Sequence, residues 1–355
     1  MKKIYSRLAI AGFSTVLAAT TLTACVEQAG EAATDGAYTI AFLMPDLAST
    51  RYEQQDKPLF EAKIATLCPT CEVLYSNANA GADTQQEQAN SAIAQGVDAI
   101  VIDPVDSQAA ASIVNAANAA QIPIIAYDRP IPDQAADYYV SFDNEGIGEK
   151  IAQSLVDNLD GQPDGGILII NGSPTDAAAG LIKDGIHNAV DPSGLTVLAE
   201  FDTPDWDPAR AQEWASGQIT QYGDQIIGVV AANDGTGGAA IAAFKASGVA
   251  VTPPVTGNDA EIAAAQRILA GTQFNTISKP ISIVAEAAAE VAYAFAQGET
   301  VAGETTLYDT PSQLFVPEVV TLDNIKEILF DSGIMTADEV CTGDYAAACT
   351  SAGIS

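Results

Sequence analysis

Residues 99–129 read AIVIDPVDSQAAASIVNAANAAQIPIIAYDR, and this stretch decides the fold class. It predicts a strand over 99–102, an alanine-rich helix over 107–120 and a second strand over 123–127. Both strands are almost continuously apolar, which is typical of strands buried on both faces of a parallel sheet. A strand, a helix and a second strand in this order form one unit of an α/β fold with helices on both sides of the sheet.

The same alternation continues on either side of this unit. Apolar runs over 38–44 and 72–76 predict two earlier strands, and the pattern restarts with a strand over 138–142. Later strands are predicted over 166–170, 196–201, 225–231 and 254–257. The other predicted helices are 52–67, 84–95, 147–158, 177–189, 208–221, 237–247 and 261–270. Two similar blocks in one chain predict an α/β fold of two doubly wound parallel-sheet lobes with a cleft between them.

The composition excludes several classes of function. The 355 residues include 46 Asp and Glu against 14 Lys and Arg, a formal net charge of −32, which argues against a nucleic-acid partner. The single histidine, His187, excludes a multi-histidine metal site, and no G-x-S-x-G nucleophile motif accompanies it. We therefore expect an ordinary surface or packing role for His187, with no metal and no cofactor.

The first 24 residues have the features of a lipoprotein signal peptide. Three basic residues precede an uncharged apolar stretch over 8–22, which is too short for a comfortable membrane span. The following Thr23-Ala24-Cys25 resembles a bacterial lipobox, after which the cysteine carries lipid. We expect an exported lipoprotein on the extracytoplasmic face of the cell membrane, in the periplasm or at the cell surface, with residues 25–36 as anchor and tether. An ordinary signal peptide with an incidental cysteine is the alternative.

Four further cysteines, Cys68, Cys71, Cys341 and Cys349, suggest disulfides in an exported chain, with three possible pairings. Proximity along the sequence favours Cys68–Cys71 and Cys341–Cys349. The C-P-T-C spacing of the first pair also matches a redox motif. Such a motif should open a helix, whereas this one follows a predicted helix and precedes a strand, so we favour a structural bond.

Polar residues follow almost every predicted strand, at the edge where open α/β sheets bind ligands. Capping or turn roles are expected for Asp103, Asp143, Ser173 and Asp234. Arg129, Trp206 and Lys279 have no such role. A tryptophan and two cations among acids and amides suit a neutral polyhydroxylated ligand, because sugar hydroxyls donate and accept and an aromatic face can cover the C–H side of the ring.

Short stretches along nearly the whole mature chain resemble the type I periplasmic binding proteins of bacterial ABC importers, in particular their xylose-binding and multiple-monosaccharide-binding members. The stretches are RY at 51–52, AYDR at 126–129, SFDNE at 141–145, GSP at 172–174, WDP at 206–208, ND at 233–234, GND at 257–259, AGT at 270–272 and KP at 279–280. The G-x-x-x-x-G-K-[ST] motif is absent, so the resemblance is to the capture component and not to the motor.

The resemblance implies two lobes joined by three hinge crossovers, near residues 140–143, 274–278 and 313–317. Lobe 1 would comprise 37–142 plus 278–313, and lobe 2 would comprise 143–277 plus 314–355. The implied function is capture of one monosaccharide, a xylose-like pentose or an aldohexose, by closure of the lobes. The implied partners are the sugar and the membrane permease of an importer. We expect a monomer with no catalytic residues.

The resemblance also implies ligand-binding residues on lobe 1 and at the hinge. Arg51 matches an arginine that reaches ring or hydroxyl oxygens, and Tyr52 stands where the xylose-binding relatives have a tryptophan. Asp128 and Arg129 match a pair that grips hydroxyls. Lys279 matches a donor on the hinge side.

On lobe 2, the resemblance implies that Trp206 stacks on the sugar and that Asn233 and Asp259 form hydrogen bonds with it. The sequence departs from the family pattern in two places. Both asparagines of the family pattern Ser-Pro-x-Asp-Asn-Asn are alanines here, at 177 and 178, which removes a polar partner and enlarges the pocket. Asn258 replaces a family glutamine.

Two other functions remain open at this point. An enzyme acting on a sugar could use paired carboxylates such as Asp128 and Asp259. A sensor would present its bound sugar to a membrane receptor instead of a permease. A transcriptional regulator would need a DNA-binding headpiece, and the lipobox occupies that position.

Overall fold

A computed structural model describes residues 36–159, 164–249 and 251–354. The predicted signal peptide, the lipid site at Cys25 and the tether as far as Asp35 lie outside these residues. Within the described ranges, none of the helices combines the length and the apolar character needed to cross a membrane.

Strands and helices alternate through most of the described chain. The strands are β1 (Thr39–Met44), β2 (Glu72–Asn77), β3 (Ala99–Ile102), β4 (Ile124–Tyr127), β5 (Tyr138–Phe142), β6 (Gly166–Asn171), β7 (Thr196–Asp202), β8 (Ile226–Ala231), β9 (Asn275–Ser278), β10 (Thr305–Leu307), β11 (Thr310–Phe315) and β12 (Glu318–Thr321). The α-helices are α1 (Lys57–Leu67), α2 (Ala82–Gln95), α3 (Ala111–Ala119), α4 (Asn144–Leu159), α5 (Ala177–Val190), α6 (Pro208–Tyr222), α7 (Asp234–Ser247), α8 (Ile262–Leu269), α9 (Ile281–Ala296), α10 (Ala337–Val340) and α11 (Ala346–Ser351).

The first lobe is built on a seven-stranded sheet in the order β10-β11-β5-β4-β3-β1-β2, in which only the β10–β11 pair is antiparallel. Alternate residues of β1 face opposite sides, as the pleat requires. Phe42 stacks on Phe60 of α1 with ring centroids 4.1 Å apart, in the layer that also holds α9. Leu43 packs on the other side with residues of α2 and α3. Helices therefore cover both faces of the sheet.

The second lobe contains a three-stranded parallel sheet, β7-β6-β8, and an antiparallel pair, β12-β9. The helices α4 and α5 pack on one face and α6 and α7 on the other. α4 and α5 approach closely at two glycines. A Cβ at Gly148 would collide with the carbonyl oxygen of Ile182, and one at Gly185 would collide with that of Glu145. Any larger residue at either position would force these two helices apart.

The chain passes between the two lobes three times, after β5, after β9 and after β11. Residues 314 and 315 pair with β5 in the first-lobe sheet, and Ser278 pairs with Glu318 in the β9–β12 ladder. The described strands therefore extend one or two residues across the limits that the family resemblance implies at 277/278 and 313/314.

Most predicted elements between residues 38 and 270 are confirmed. The strands at 99–102 and 138–142 have the predicted bounds, and the helix predicted over 107–120 begins only at Ala111. The strand predicted over 254–257 is wrong, because only Val255 forms a bridge there, to Val229. The sequence analysis missed β9, α9 and everything after them; the missed strands are short and lack the long apolar runs seen earlier.

Both favoured cysteine pairs are bonded, Cys68 to Cys71 and Cys341 to Cys349. Cys68 is the residue that ends α1, so its bond lies at a helix C-terminus rather than at the N-terminus that lowers a thiol pKa. The second bond joins the segments that carry α10 and α11, and Cys349 is buried in the cluster around Leu329.

Candidate ligand-binding site

One pocket, with an empty volume of about 400 Å³, lies between the lobes at the carboxyl ends of the strands. It brings together all eight residues that the sequence analysis proposed for ligand binding: Arg51, Tyr52, Asp128, Arg129, Trp206, Asn233, Asp259 and Lys279. The other lining residues are Ser49, Asn144, Asp176, Ala178, Ile182 and Asn258. Both lobes contribute, so a ligand here would contact the two lobes at once.

Arg51 is fixed on the first-lobe side by carboxylates. It precedes a π-helical turn, Tyr52–Asp56, a kind of turn that often occurs at functional sites. Its guanidinium donates to Asp56 over 3.0 and 3.2 Å and lies 3.1 Å from Asp128. Asp56 also accepts a 2.6 Å hydrogen bond from the hydroxyl of Tyr127, at the end of β4. Two carboxylates thus hold Arg51 in the wall of the pocket.

Arg129 links the two lobes. Its guanidinium donates to Asp46 and to the hydroxyl of Tyr52, both over 3.2 Å. Its Nε lies 3.4 Å from Asp103 in the first lobe and 3.2 Å from Asp176 at the start of α5 in the second. Three carboxylates therefore surround one buried cation.

Trp206 occupies the second-lobe side, just after β7. Its indole Nε1 donates to Asp176 over 2.9 Å, so the ring is held by the same carboxylate that meets the first lobe. The ring lies against Gly172, where any Cβ would collide with it. A glycine is therefore required at position 172 for this placement of the indole.

Asp259 and Lys279 lie where the chain passes between lobes after β9. The ammonium of Lys279 is 2.8 Å from Asp259 and 4.0 Å from Asp128. Asp259 is also 3.9 Å from Arg51. These four side chains form one ionic network that spans the cleft.

Three pocket residues have left-handed backbone: Asp128 with φ 59°, Trp206 with φ 55° and Asp259 with φ 102°. Such conformations cost about 1–3 kcal/mol each for residues other than glycine, and they cluster where side chains must be aimed at a ligand. The strain coincides with the residues that project into the pocket from three different loops.

Burial and charge oppose one another in this site. Burial alone would raise the pKa of Asp128, but Arg51, Lys279 and Arg129 outweigh it and lower this pKa, so Asp128 is ionised. Burial dominates at Asp103 and Asp176 and raises the pKa of both carboxyl groups, although Arg129 opposes the shift. Ionised carboxylates accept hydrogen bonds only, which suits ligand hydroxyls as donors.

The predicted capping roles have mixed outcomes. Asp143 accepts a 3.1 Å hydrogen bond from a backbone nitrogen in the first turn of α4, and Ser173 lies in a turn, both as predicted. Asp234 accepts from the backbone nitrogen of Glu261, at the start of α8 rather than of its own helix. The prediction for Asp103 is wrong: among the described residues neither of its carboxylate oxygens has a hydrogen-bond partner, and it faces a buried arginine instead.

Sequence reasoning missed several lining residues because helices carry them. Asp176 caps α5 by accepting from the backbone nitrogen of Ala178, and this capping pattern concealed its second role beside Arg129. Asn144 opens α4, and its amide donates to the hydroxyl of Tyr139. By contrast His187 pairs on the surface with two acids and is not among the described residues that line the pocket.

Comparison with known proteins places the chain in a family. A model of the periplasmic binding protein domain matches residues 40–300. The D-xylose-binding periplasmic protein of Escherichia coli is 35% identical over 309 residues, which cover 85% of this chain and 92% of that protein. The multiple sugar-binding periplasmic receptor ChvE of Rhizobium radiobacter is 28% identical, over a match that covers 85% of this chain and 92% of that protein. The chain belongs to the periplasmic binding protein family.

Solved structures agree. An ABC transporter solute-binding protein from Clostridium phytofermentans with bound β-D-glucose has a TM-score of 0.78 and 28% identity, over 85% of this chain and 99% of that one. A carbohydrate transporter solute-binding protein from Chloroflexus aurantiacus in complex with D-glucose has a TM-score of 0.78 and 27% identity. The match covers 84% of this chain and 97% of that one. The predicted type I periplasmic binding protein fold is confirmed.

Proposed function

We propose that this chain is the lipid-anchored substrate-binding component of an ABC sugar importer and that it captures one neutral monosaccharide in the pocket between the lobes. The observation that carries the proposal is the convergence of all eight sequence-derived residues on one pocket lined by both lobes. The relatives named for xylose and for multiple sugars, and the glucose-bound structures, support the same class of ligand.

The polar groups of the pocket include both hydrogen-bond donors and acceptors for sugar hydroxyls. Asp128 and Asp259 accept hydrogen bonds, whereas Arg51 and Lys279 donate them. Each of these charges already has an opposite partner, so a neutral ligand can bind without leaving a buried charge unpaired. Trp206 supplies an aromatic face for the C–H side of the ring. Asn233 uses its side-chain oxygen to cap α7, so its amide nitrogen would contact the sugar.

The lobes, at 37–142 plus 278–313 and 143–277 plus 314–355, would close on the sugar as on a hinge. Several contacts that join the two ranges would form on closure. They include the ion pairs Arg129–Asp176 and Arg51–Asp259, the hydrogen bond from the Ala177 nitrogen to Ser107 Oγ (3.0 Å) and the hydrogen bond from the Ser107 nitrogen to the Thr175 carbonyl (2.9 Å).

Binding is favoured over catalysis by the state of the two carboxylates that a glycosidase would need. Asp128 has a lowered pKa and cannot keep a proton to act as a general acid. Asp259 lies 2.8 Å from Lys279. Incubation with common glycosides should therefore give no product.

The direct test is calorimetric titration of the purified protein with a panel of pentoses, hexoses and polyols, with one binding site expected per monomer. Melting curves are recorded with the same sugars. A sugar present at 100 times its Kd should add about 2.7 kcal/mol to the free energy of unfolding. Failure of every neutral sugar to shift the melting temperature would refute the proposal.

Lipid anchoring is tested separately. Cys25→Ser should release the protein from the membrane fraction or leave its precursor unprocessed, because the lipid could no longer be attached. Unchanged membrane retention of this variant would show that Cys25 is not the anchor, without bearing on sugar binding.

A further inference from the structure

One wall of the pocket is aliphatic. Ala178 and Ile182 both line the pocket, and they lie four residues apart on α5, which places them on one face of the helix. Both are buried, with 6% and 3% of their surfaces exposed. Each of the other twelve lining residues carries a side-chain nitrogen or oxygen. We refer to Ala178 and Ile182 as the α5 wall.

Nothing in the α5 wall can form a side-chain hydrogen bond, and its surroundings do not compensate. The carboxylate of Asp176, which caps α5, already accepts hydrogen bonds from the Ala178 nitrogen and from Trp206 and lies beside Arg129. Ile182 and the Trp206 ring belong to the same apolar cluster. A ligand hydroxyl directed at this wall would lose its water and gain no partner.

A different part of the pocket needs a donor from the ligand. The side-chain oxygen of Asn258 is buried and has no hydrogen-bond partner among the described residues, although Asn258 lines the pocket. The ligand is therefore required to be asymmetric, with a hydroxyl for Asn258 and one edge free of hydroxyls for the α5 wall.

Carbons 1 to 4 of an aldopyranose each carry a hydroxyl group, so only the C5 edge can lack one. We propose that the α5 wall selects sugars whose C5 substituent is a methyl group or a hydrogen over sugars with a hydroxymethyl group there, and that 6-deoxyhexoses bind most tightly. This inference rests on the proposed sugar-binding function and narrows it to a substrate class.

The expected size of the preference follows from the lost hydrogen bonds. An unsatisfied hydroxyl in the closed pocket should weaken binding about 5- to 150-fold. A methyl group in place of hydrogen should improve binding about fourfold, from the burial of one more carbon. The expected order of affinity is therefore methyl, then hydrogen, then hydroxymethyl.

Three matched series of sugars test this order, because the members of each series differ only at C5. They are D-glucose, 6-deoxy-D-glucose and D-xylose; D-galactose, D-fucose and L-arabinose; and D-mannose, D-rhamnose and D-lyxose. Calorimetric titration of the purified protein should give the expected order in whichever series binds. Tightest binding of the hydroxymethyl member overturns the inference and leaves the proposed function standing. Binding of none of the nine also overturns the inference, and the proposed function falls only if the wider panel of neutral sugars fails as well.

A substitution provides the reciprocal test. Ala178→Asn places an amide in the α5 wall and should reduce the preference for 6-deoxyhexoses at least about fivefold, by offering the hydroxymethyl group a partner. Gly180→Asn introduces the same side chain on the same helix, at a position with open space around it, and should keep the wild-type order. An unchanged order in a folded Ala178→Asn protein would overturn the inference, and if that variant fails to fold the wild-type series decides.

Discussion

The two sides of the pocket are held in place by different forces. On the first lobe, Arg51 and Arg129 are held by ion pairs with the buried carboxylates of Asp56 and Asp46, and Asp128 is held by its ion pair with Arg51. On the second lobe, Trp206 and Ile182 are placed by packing around glycines and within an apolar cluster. If the proposed function holds, this difference predicts that the ionic side contributes most of the affinity, whereas the packed side determines which sugar binds.

The largest effect is expected from Asp128→Ala, on the ionic side. The change leaves sugar hydroxyls, and part of the charge of Arg51 and Lys279, without an acceptor in a closed cleft. An affinity loss of about tenfold to several hundredfold should follow in calorimetry. Asp133→Ala, at an exposed aspartate five residues downstream, is the control and should bind as wild type. Wild-type affinity of Asp128→Ala would remove this residue from the site.

The next largest effect is expected from Trp206→Ala, on the packed side of the pocket. It removes a stacking surface that contributes at least about 0.5–1.5 kcal/mol beyond its area, so affinity should fall about tenfold while the ligand-free melting temperature stays near wild type. Trp214, the only other tryptophan, stacks on Phe201 and is not among the lining residues. Trp214→Ala should therefore lower the melting temperature and keep the affinity. If Trp214→Ala weakened sugar binding and Trp206→Ala lowered only the melting temperature, Trp214 would be the binding residue and Trp206 the structural one.

Asn258→Ala tests the contribution of a single neutral hydrogen-bond acceptor on the second lobe. If the unpartnered oxygen of Asn258 accepts from the ligand, its loss should weaken binding about 5- to 20-fold, less than the loss of the charged Asp128. Calorimetry with the tightest-binding sugar measures this, and the circular dichroism spectrum serves as the check of folding. An unaltered Kd would mean that the oxygen faces no ligand hydroxyl.

The smallest effect is expected on the pH dependence of stability, through Glu261 at the start of α8. Burial, reinforced by Asp259, raises the pKa of Glu261 from 4.5 to about 7, with Arg267 and Arg51 opposing the shift. Asp234, whose carboxylate accepts from the Glu261 backbone, also has a raised pKa. A carboxyl group with a raised folded-state pKa binds protons more tightly when folded. Its contribution to stability is therefore complete below about pH 4.5 and is lost as the pH rises to about 7.

Glu261→Gln should accordingly flatten the decline of melting temperature between pH 5 and pH 7. Glu87→Gln, at an exposed position on α2, is the matched control and should keep the wild-type slope. Parallel curves for wild type and Glu261→Gln would show that Glu261 ionises at its ordinary pH.

The sequence indicated the ionic side of the pocket more completely than the packed side, for a physical reason. Asp128 and Arg129 directly follow an apolar strand, so the position of the strand also locates the side chains. Asp176 caps α5 and Ile182 lies on it, so the direction of both side chains depends on how α5 rotates against α4, which no local pattern encodes. A helix-capping role was wrongly predicted for Asp103 for a related reason. An aspartate directly after a strand can cap the next helix or pair with a buried arginine, and the local sequence does not distinguish the two.

The glycine contact between α4 and α5 has a consequence for redesign. Because Gly148 and Gly185 bring the two helix backbones into direct contact, side chains can be exchanged on the pocket face of α5 while the backbone beneath them stays in register. A small combinatorial library at positions 178 and 182 would thus explore new sugar preferences without also sampling new helix geometries. A library at 148 or 185 would mostly return proteins that no longer assemble the second lobe.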